Sequence, residues 1–261
     1  MATTTSSSPH TPAEEGPKAS NMRSLSRALE VFAELQRAER PQRLSDLARN
    51  CGMSLPTTLR ILRVLQDFGM VSQTDKSYRI GPAVLPAARS FLENDPLVVA
   101  ARPILQQVAS QTGLTASLYT RLGFERILVA RVDGEVLGKR LPLTAGAAGK
   151  ILLASSSDDE LQEVIAAAVA GGHEDSGLTA AALRSRLPEP GAEYAYSADE
   201  RATGVLSVAV AVPSRPGRRP SESISLTSPV EAASEETLRA GVPELRRAAG
   251  RLAELLEGSV Y

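Results

Sequence analysis

The stretch RLSDLARNCGMSLPTTLRILRVLQDFGMVSQTDKSYRIG, Arg43 to Gly81, decides the fold. Two short amphipathic segments, a glycine between them and a hairpin after them follow with almost no spare residues. Ser54 is placed to cap the second helix, because its hydroxyl can accept a backbone N–H of the first turn. Pro56 stands in that turn, where a missing N–H costs little. Leu55, Leu59, Leu62 and Leu65 recur at helical spacing and predict the buried face. Thr57, Thr58, Arg60 and Arg63 then take the outer face, and Gly69 supplies the left-handed stop. In the preceding helix Ser45 is the expected cap, Leu44 takes the staple position, and Leu47 and Ala48 face inward. Gly52 opens the turn between the two. Beyond Gly69, MVSQT and SYRIG flank Asp75-Lys76 as two strands and a polar turn. An earlier helix over 24–36, with Leu25, Leu29, Phe32 and Leu35 on one side, closes the small core.

This order of segments is a winged helix-turn-helix, which presents one helix at the width of a DNA major groove. Hydroxyls and guanidinium groups are the side chains that meet base edges and phosphates. Ser54, Leu55, Pro56, Thr57, Thr58, Arg60 and Arg63 therefore form the expected reading surface. Lys76 at the wing tip and Arg79 on the return strand are the expected backbone contacts. Three short amphipathic helices can also make a protein-interaction module without a DNA target. Charge favours the first reading: residues 21–80 carry ten Lys or Arg against six Asp or Glu, and residues 81–261 carry eighteen against twenty-two. A basic head on an otherwise acidic chain suits a polyanion.

The chain has 261 residues, 43% of them hydrophobic, which is enough for two domains with cores of their own. Tryptophan is absent, so Leu, Val, Ile and Ala must build those cores. The single cysteine, Cys51, excludes an internal disulfide and a multi-cysteine zinc site, and reads as a small buried hydrophobe. No apolar run is long enough to span a membrane, and no signal-peptide pattern opens the chain. A cytoplasmic protein is expected. Residues 1–20, rich in Thr, Ser, Pro and Ala, read as a disordered tail containing His10.

After the wing, a helix, a break at Asn94-Asp95-Pro96 and a second helix with Val99, Ile104, Leu105 and Val108 are expected, ending at Gly113. TASLYTRL, RILVARVD, TGVLSVAVAVPS and ESISLTS have the β-branched content of strands. The last two are joined by the arginine-rich turn RPGRRP. Helices are expected after Ala145, over 158–169, after Thr179 and over 234–256, where Pro243 threatens a kink. Strands in a meander with helices around them make an α+β domain.

The order of these segments resembles the IclR family of bacterial transcriptional regulators, from about Asn21 to Gly258. The resemblance is carried by SLSRALEVF, LRILRVLQDFGMV, the YRIGP exit of the wing, LPLTAGAAGKILLA, Tyr194-Ala195 with Glu200 and Gly204, and the AVAVP strand. It implies an α+β protein with a winged helix-turn-helix over 21–83, a linker helix over 84–100 and a GAF-like effector-binding domain over 101–258. It implies a homodimer or homotetramer, a double-stranded DNA operator, a small organic acid as effector, and neither cofactor nor metal. There are departures. Pro56 and Thr57 stand where the family usually has Ser-Thr, Thr144 and Ala145 where a histidine or cysteine is common, and Glu193 where a glycine is expected.

Small residues at a helix start let a ligand approach the backbone, and the N–H groups there favour anions. Gly146, Ala147 and Ala148 are the candidates here. By resemblance Ser197, Val205, Ser207, Ser223 and Ser225 join them around the effector. Close helix–sheet packing is the plainer reason for such small residues. Gly149-Lys150 is not a phosphate-binding loop, since Thr144 replaces the first glycine and Ile151 the hydroxyl; Lys150 reads as an exposed or helix-capping lysine. His173 is the only histidine outside the tail, so a hydrolase triad has no support. A metabolite-transforming enzyme remains the other alternative.

Overall fold

The computed structural model describes residues 17–133, 137–173, 177–200, 202–215 and 217–257; most of the expected tail, with His10, and the expected domain end at 258 lie outside the described residues. Two compact units meet at Arg89–Ser90.

In the first unit α1 (Pro17–Arg37) is followed by β1 (Gln42–Arg43), α2 (Leu44–Asn50), α3 (Leu55–Asp67), β2 (Val71–Thr74) and β3 (Ser77–Ile80). Val31, Leu35, Leu47, Leu62, Val71 and Tyr78 form its core, with Phe32, Ile61 and Leu65 packed against it. α1 begins earlier than expected and takes Pro17–Ser20 from the tail. Its inner face is Val31 and Leu35, whereas Leu25 and Leu29 are 56% and 59% exposed. Ser45 is not a cap. Gln42 and Arg43 are held extended by pairing with Tyr78 and Ser77 of β3, so α2 starts directly after that ladder, at Leu44.

α3 has the predicted ends. Ser54 Oγ accepts the Thr57 N–H at 3.4 Å, and Gly69 takes the left-handed conformation at φ 67° while its N–H bonds Gln66 O. β2 and β3 pair from Val71↔Ile80 to Thr74↔Ser77, and Asp75 and Lys76 between them both have positive φ, as a two-residue hairpin requires. β1 adds a third strand in the order β1-β3-β2.

The second unit holds a six-stranded sheet. α4 (Val84–Asn94) ends where a break was expected, and α5 (Pro96–Thr112) follows with Asp95 as its cap. Within α5, Val98, Ala101, Ile104, Leu105 and Val108 are buried, and Val99 is not. Then come β4 (Thr115–Leu122), β5 (Glu125–Arg131), β6 (Arg140–Pro142), α6 (Ala147–Leu153), α7 (Asp158–Ala170), α8 (Ala180–Arg184), β7 (Ala195–Ala198), β8 (Val205–Ala211), β9 (Glu222–Pro229), α9 (Glu235–Ala240) and α10 (Val242–Glu257). The strand order is β6-β5-β4-β9-β8-β7. Two antiparallel meanders therefore meet along β4 and β9, instead of one running meander. The long C-terminal helix is broken at Gly241, where a Cβ would strike Leu226, and Pro243 lies in the first turn of α10.

The two faces of this sheet differ in chemistry. On one, Ala116, Leu118, Leu206, Val208, Val210, Ile224 and Leu226 pack against α5, α9 and α10 in an apolar core. On the other, Tyr119, Leu128, Ala195 and Ala209 meet α6, α7 and α8. Because side chains alternate along a strand, Thr115, Ser117, Ser197, Ser207, Ser223, Ser225 and Thr227 all fall on this second face.

Candidate functional site

The exposed side of α3 carries Ser54, Leu55, Pro56, Arg60 and Arg63, with Thr57 half-buried. Arg60 and Arg63 make no ion pair among the described residues. Thr57 is tied to the cap, its Oγ1 lying 2.9 Å from Ser54 Oγ. Thr58 is a correction: it is fully buried, and its hydroxyl donates to Ser54 O at 3.1 Å. One hundred degrees of helix rotation separate it from Thr57, which places it with Leu62 and Leu65 on the inner side. Thr58 therefore does not reach DNA. Leu55 is half exposed because it opens the helix ahead of the packed turn, so the buried stripe begins at Thr58 and not at Leu55. Lys76 and Arg79 are exposed on the wing, at its tip and on its return strand.

In the second unit the structure brings the expected effector residues to one seam. Gly146 precedes α6, and Ala147 and Ala148 are its buried first residues. The Ala147 N–H points to Ser207 Oγ at 3.5 Å, and Ser223 Oγ donates to Ala148 O at 3.3 Å. Ser197 pairs in register with Ser207, and Ser225 lies between Ala209 and Ser117 on the neighbouring strands. Val205 starts β8, two residues before Ser207.

The register adds residues that the sequence did not reveal. Ser197, Ser207, Thr227 and Thr115 form one row across β7, β8, β9 and β4. In the next row Ser225 faces Ser117. The hydroxyls of Ser117, Ser225 and Thr144, on side chains at most 2% exposed, have no hydrogen-bond partner among the described residues. A buried hydroxyl without a partner costs free energy, and those of Ser117 and Ser225 stand opposite each other on neighbouring strands.

Lys150 is the second correction. It is 8% exposed, and its ammonium donates to Glu200 Oε1 at 2.8 Å and to Tyr196 O at 2.7 Å. Glu200 Oε2 in turn accepts the Gly146 N–H at 3.0 Å. The start of α6 is thus already met by a carboxylate of the chain itself. This pair ties α6 to the segment after β7. Gly149 is required beside it: a Cβ there would meet Leu143 O and, at 2.6 Å, the Arg126 guanidinium, which stacks on Tyr119.

A second ion network holds α7. Arg121 donates to Glu160 Oε1 at 2.8 Å, and Arg219 pairs with the other oxygen. Burial pushes the Glu160 carboxyl up, but the hydrogen bonds and charge of Arg121, with Ser156 and Arg219, outweigh it and hold the group below the usual carboxylate range. Among the described residues no cluster of His, Cys, Asp or Glu could hold a metal ion, and no helix is long and apolar enough to cross a membrane.

Family models match both units: residues 24–75 match the IclR helix-turn-helix domain, and residues 89–254 match the bacterial transcriptional regulator IclR C-terminal domain. The chain belongs to the IclR family of bacterial transcriptional regulators. It is 29% identical over 138 residues to the HTH-type transcriptional repressor AllR of Escherichia coli (strain K12), a match covering 49% of this chain and 51% of that one. The chain thus spans about half the length of the curated relatives it matches. A solved IclR transcriptional regulator from Silicibacter sp. TM1040 superposes with a TM-score of 0.74 at 25% identity, covering 91% of this chain and 98% of that one. An IclR homologue from Microbacterium hydrocarbonoxydans, complexed with 4-hydroxybenzoate, superposes with a TM-score of 0.63 at 22% identity, covering 90% of this chain and all of that one. The likeness at 22% carries the fold alone. The winged helix-turn-helix followed by an IclR-type C-terminal domain is the α+β architecture expected from the sequence.

Proposed function

We propose that this IclR-family chain is a transcriptional regulator whose affinity for an operator is set by a small organic acid. The observation that carries the reading is the outer side of α3: Pro56, Thr57, Arg60 and Arg63 stand on a capped, leucine-backed helix, and neither guanidinium group has a partner among the described residues. Such a helix enters the major groove, with Arg60 and Arg63 at base edges or phosphates and Lys76 and Arg79 on the flanking backbone.

The effector belongs on the hydroxyl face of the sheet, over Ser197, Val205, Ser207, Ser223 and Ser225 and against Gly146, Ala147 and Ala148. Unpartnered Ser117 and Ser225, facing each other across β4 and β9, support this placement; the Microbacterium homologue, complexed with the hydroxy acid 4-hydroxybenzoate, supports only the chemical class of effector. An effector can shift DNA affinity only by its differential affinity for two arrangements of the protein.

The operator-bound species is a homodimer or a homotetramer. α4 has no buried residue, and Val84, Leu85, Ala88, Phe91 and Leu92 share one of its sides. Leu92 packs against the core of the second unit, but Leu85 and Phe91 are uncovered, and a helix of 11 residues so exposed is marginal in water on its own. Met22, Leu25 and Leu29 leave a second apolar stripe exposed on α1. A second copy would cover these stripes and place two α3 helices on half-sites of a pseudo-palindrome. A regulator of this kind works in the cytoplasm, beside the chromosome.

The test is selection of duplexes from a random pool by the whole chain, followed by gel-shift titration of the winners with and without small organic acids. A preferred half-site repeated with two-fold symmetry, and an acid that changes the midpoint, are expected. Selection of no sequence at any salt concentration would remove the operator reading.

A further inference from the structure

We propose that Arg43, on the short strand β1, is a phosphate-contacting residue of the DNA interface, and that β1 widens the wing into a three-stranded basic platform. The inference rests on the DNA-binding reading and extends it to an element outside the helix-turn-helix and the hairpin.

The register places the side chain. Arg43 pairs with Ser77, the residue that follows Lys76 at the wing tip, and Gln42 pairs with Tyr78. Tyr78 is buried in the core of the unit, so Gln42 shares its inner side and Arg43 leaves from the outer side. Ser77 and Arg79 alternate with Tyr78 and take the outer side too, joined there by Ser72 and Thr74, their partners on β2. Neighbouring strands are about 4.8 Å apart, so Arg43 sits one strand from the residue next to the tip and on a diagonal from Arg79. Arg43, Lys76 and Arg79 are all exposed, and none makes an ion pair among the described residues. The one acid of the turn, Asp75, is itself exposed. Arg43 and Arg79, separated by hydroxyls on one face, with Lys76 at the tip beside them, match the spaced charges of a nucleic-acid backbone, and they present no shape that would read a base.

Arg43 has no structural duty that would explain it otherwise. It precedes α2 at the cap position without making a side-chain cap bond, and its contribution to the ladder is backbone alone. Arg40 lies three residues earlier and lines, with Arg79 and Tyr78, an open hollow of about 350 Å³ beside the same ladder. Arg40, which precedes β1, stands in that hollow beside Glu39.

The experiment uses the full chain and a fluorescent duplex of mixed sequence, titrated by anisotropy over a series of salt concentrations. Arg43→Ala is expected to weaken binding about 5-fold at moderate salt and to reduce the slope of log K against log salt by about 0.9, the value for one lost phosphate contact. Arg43→Lys is expected to keep most of the wild-type slope. Arg218→Ala, which removes an equal charge from an exposed position in the second unit, is expected to leave the slope unchanged. A wild-type slope in Arg43→Ala overturns the proposal and leaves the DNA-binding reading standing. So does an equal change in Arg218→Ala, which would make the effect one of net charge. Absence of salt-dependent binding by the wild type overturns both. Arg43→Gln serves as a second variant, and a wild-type melting curve for either neutral variant confirms that the ladder has survived.

Discussion

At the scale of single residues, α3 divides its functions within one turn. Thr57 and Thr58 are adjacent and chemically identical, yet one hydroxyl joins the cap at the surface and the other closes onto Ser54 O inside. Arg60 and Arg63 keep their guanidinium donors free of any ion pair among the described residues and aimed outward. Arg60→Ala is therefore expected to weaken operator binding by about 1–3 kcal/mol, the size of one good base contact. Gel-shift titration against a selected operator at fixed salt measures it, and an unchanged midpoint would take Arg60 off the reading surface. Legibility also varies residue by residue. Ser54, Gly69 and the Asp75-Lys76 turn were readable because each acts on its own neighbours. The burial of Lys150 was not, because its partner Glu200 lies 50 residues further along. Ser117 gave no signal either; a serine in a strand shows which face it occupies only once the register is known.

At the scale of elements, β4 and β9 run over the very residues their composition marks, and β8 within them, because β-branched runs between turn residues are local patterns. β1, β6 and β7 are two to four residues long and exist through their partners, so no local pattern announces them. α6 is held from outside by the pair of Lys150 and Glu200. Lys150→Met leaves the Glu200 carboxylate without its cation and is expected to cost roughly 2–3 kcal/mol, below the range for a fully buried pair because Glu200 is partly exposed. Urea unfolding reads this out, and adding Glu200→Gln should recover part of the loss; no recovery would mean that the two do not act as a pair. α7 is held by Glu160. A carboxyl depressed in the folded state contributes stability above its ordinary pKa, and that contribution fades as pH falls through the folded value. Melting temperature is thus expected to drop below about pH 4.5, with a smaller acid-dependent drop in Glu160→Gln. Parallel pH profiles for the two proteins would rule out Glu160 as a source of the acid sensitivity.

At the scale of the whole molecule, the proposed homo-oligomer rests on the exposed apolar residues of α1 and α4. Leu25→Glu with Leu29→Glu places two charges in the α1 stripe without touching Val31 or Leu35 of the core. A lower mass in sedimentation equilibrium and weaker operator binding are expected together, with the melting of the C-terminal domain unchanged. An oligomer that survives the double change would move the contact elsewhere. The two-faced sheet carries a last consequence. Its dry side maintains the domain, so its hydroxyl side is free to drift. Ser225→Ala deletes an unsatisfied buried oxygen and is expected to raise stability by about 1 kcal/mol while blunting the response to the effector. Thermal melts and effector titrations would show both changes at once, and a less stable variant would mean that the hydroxyl already has a partner. On the proposed placement of the effector, single substitutions on that surface would retune what the domain binds, and the cost of acquiring a new ligand would fall on recognition and spare the scaffold.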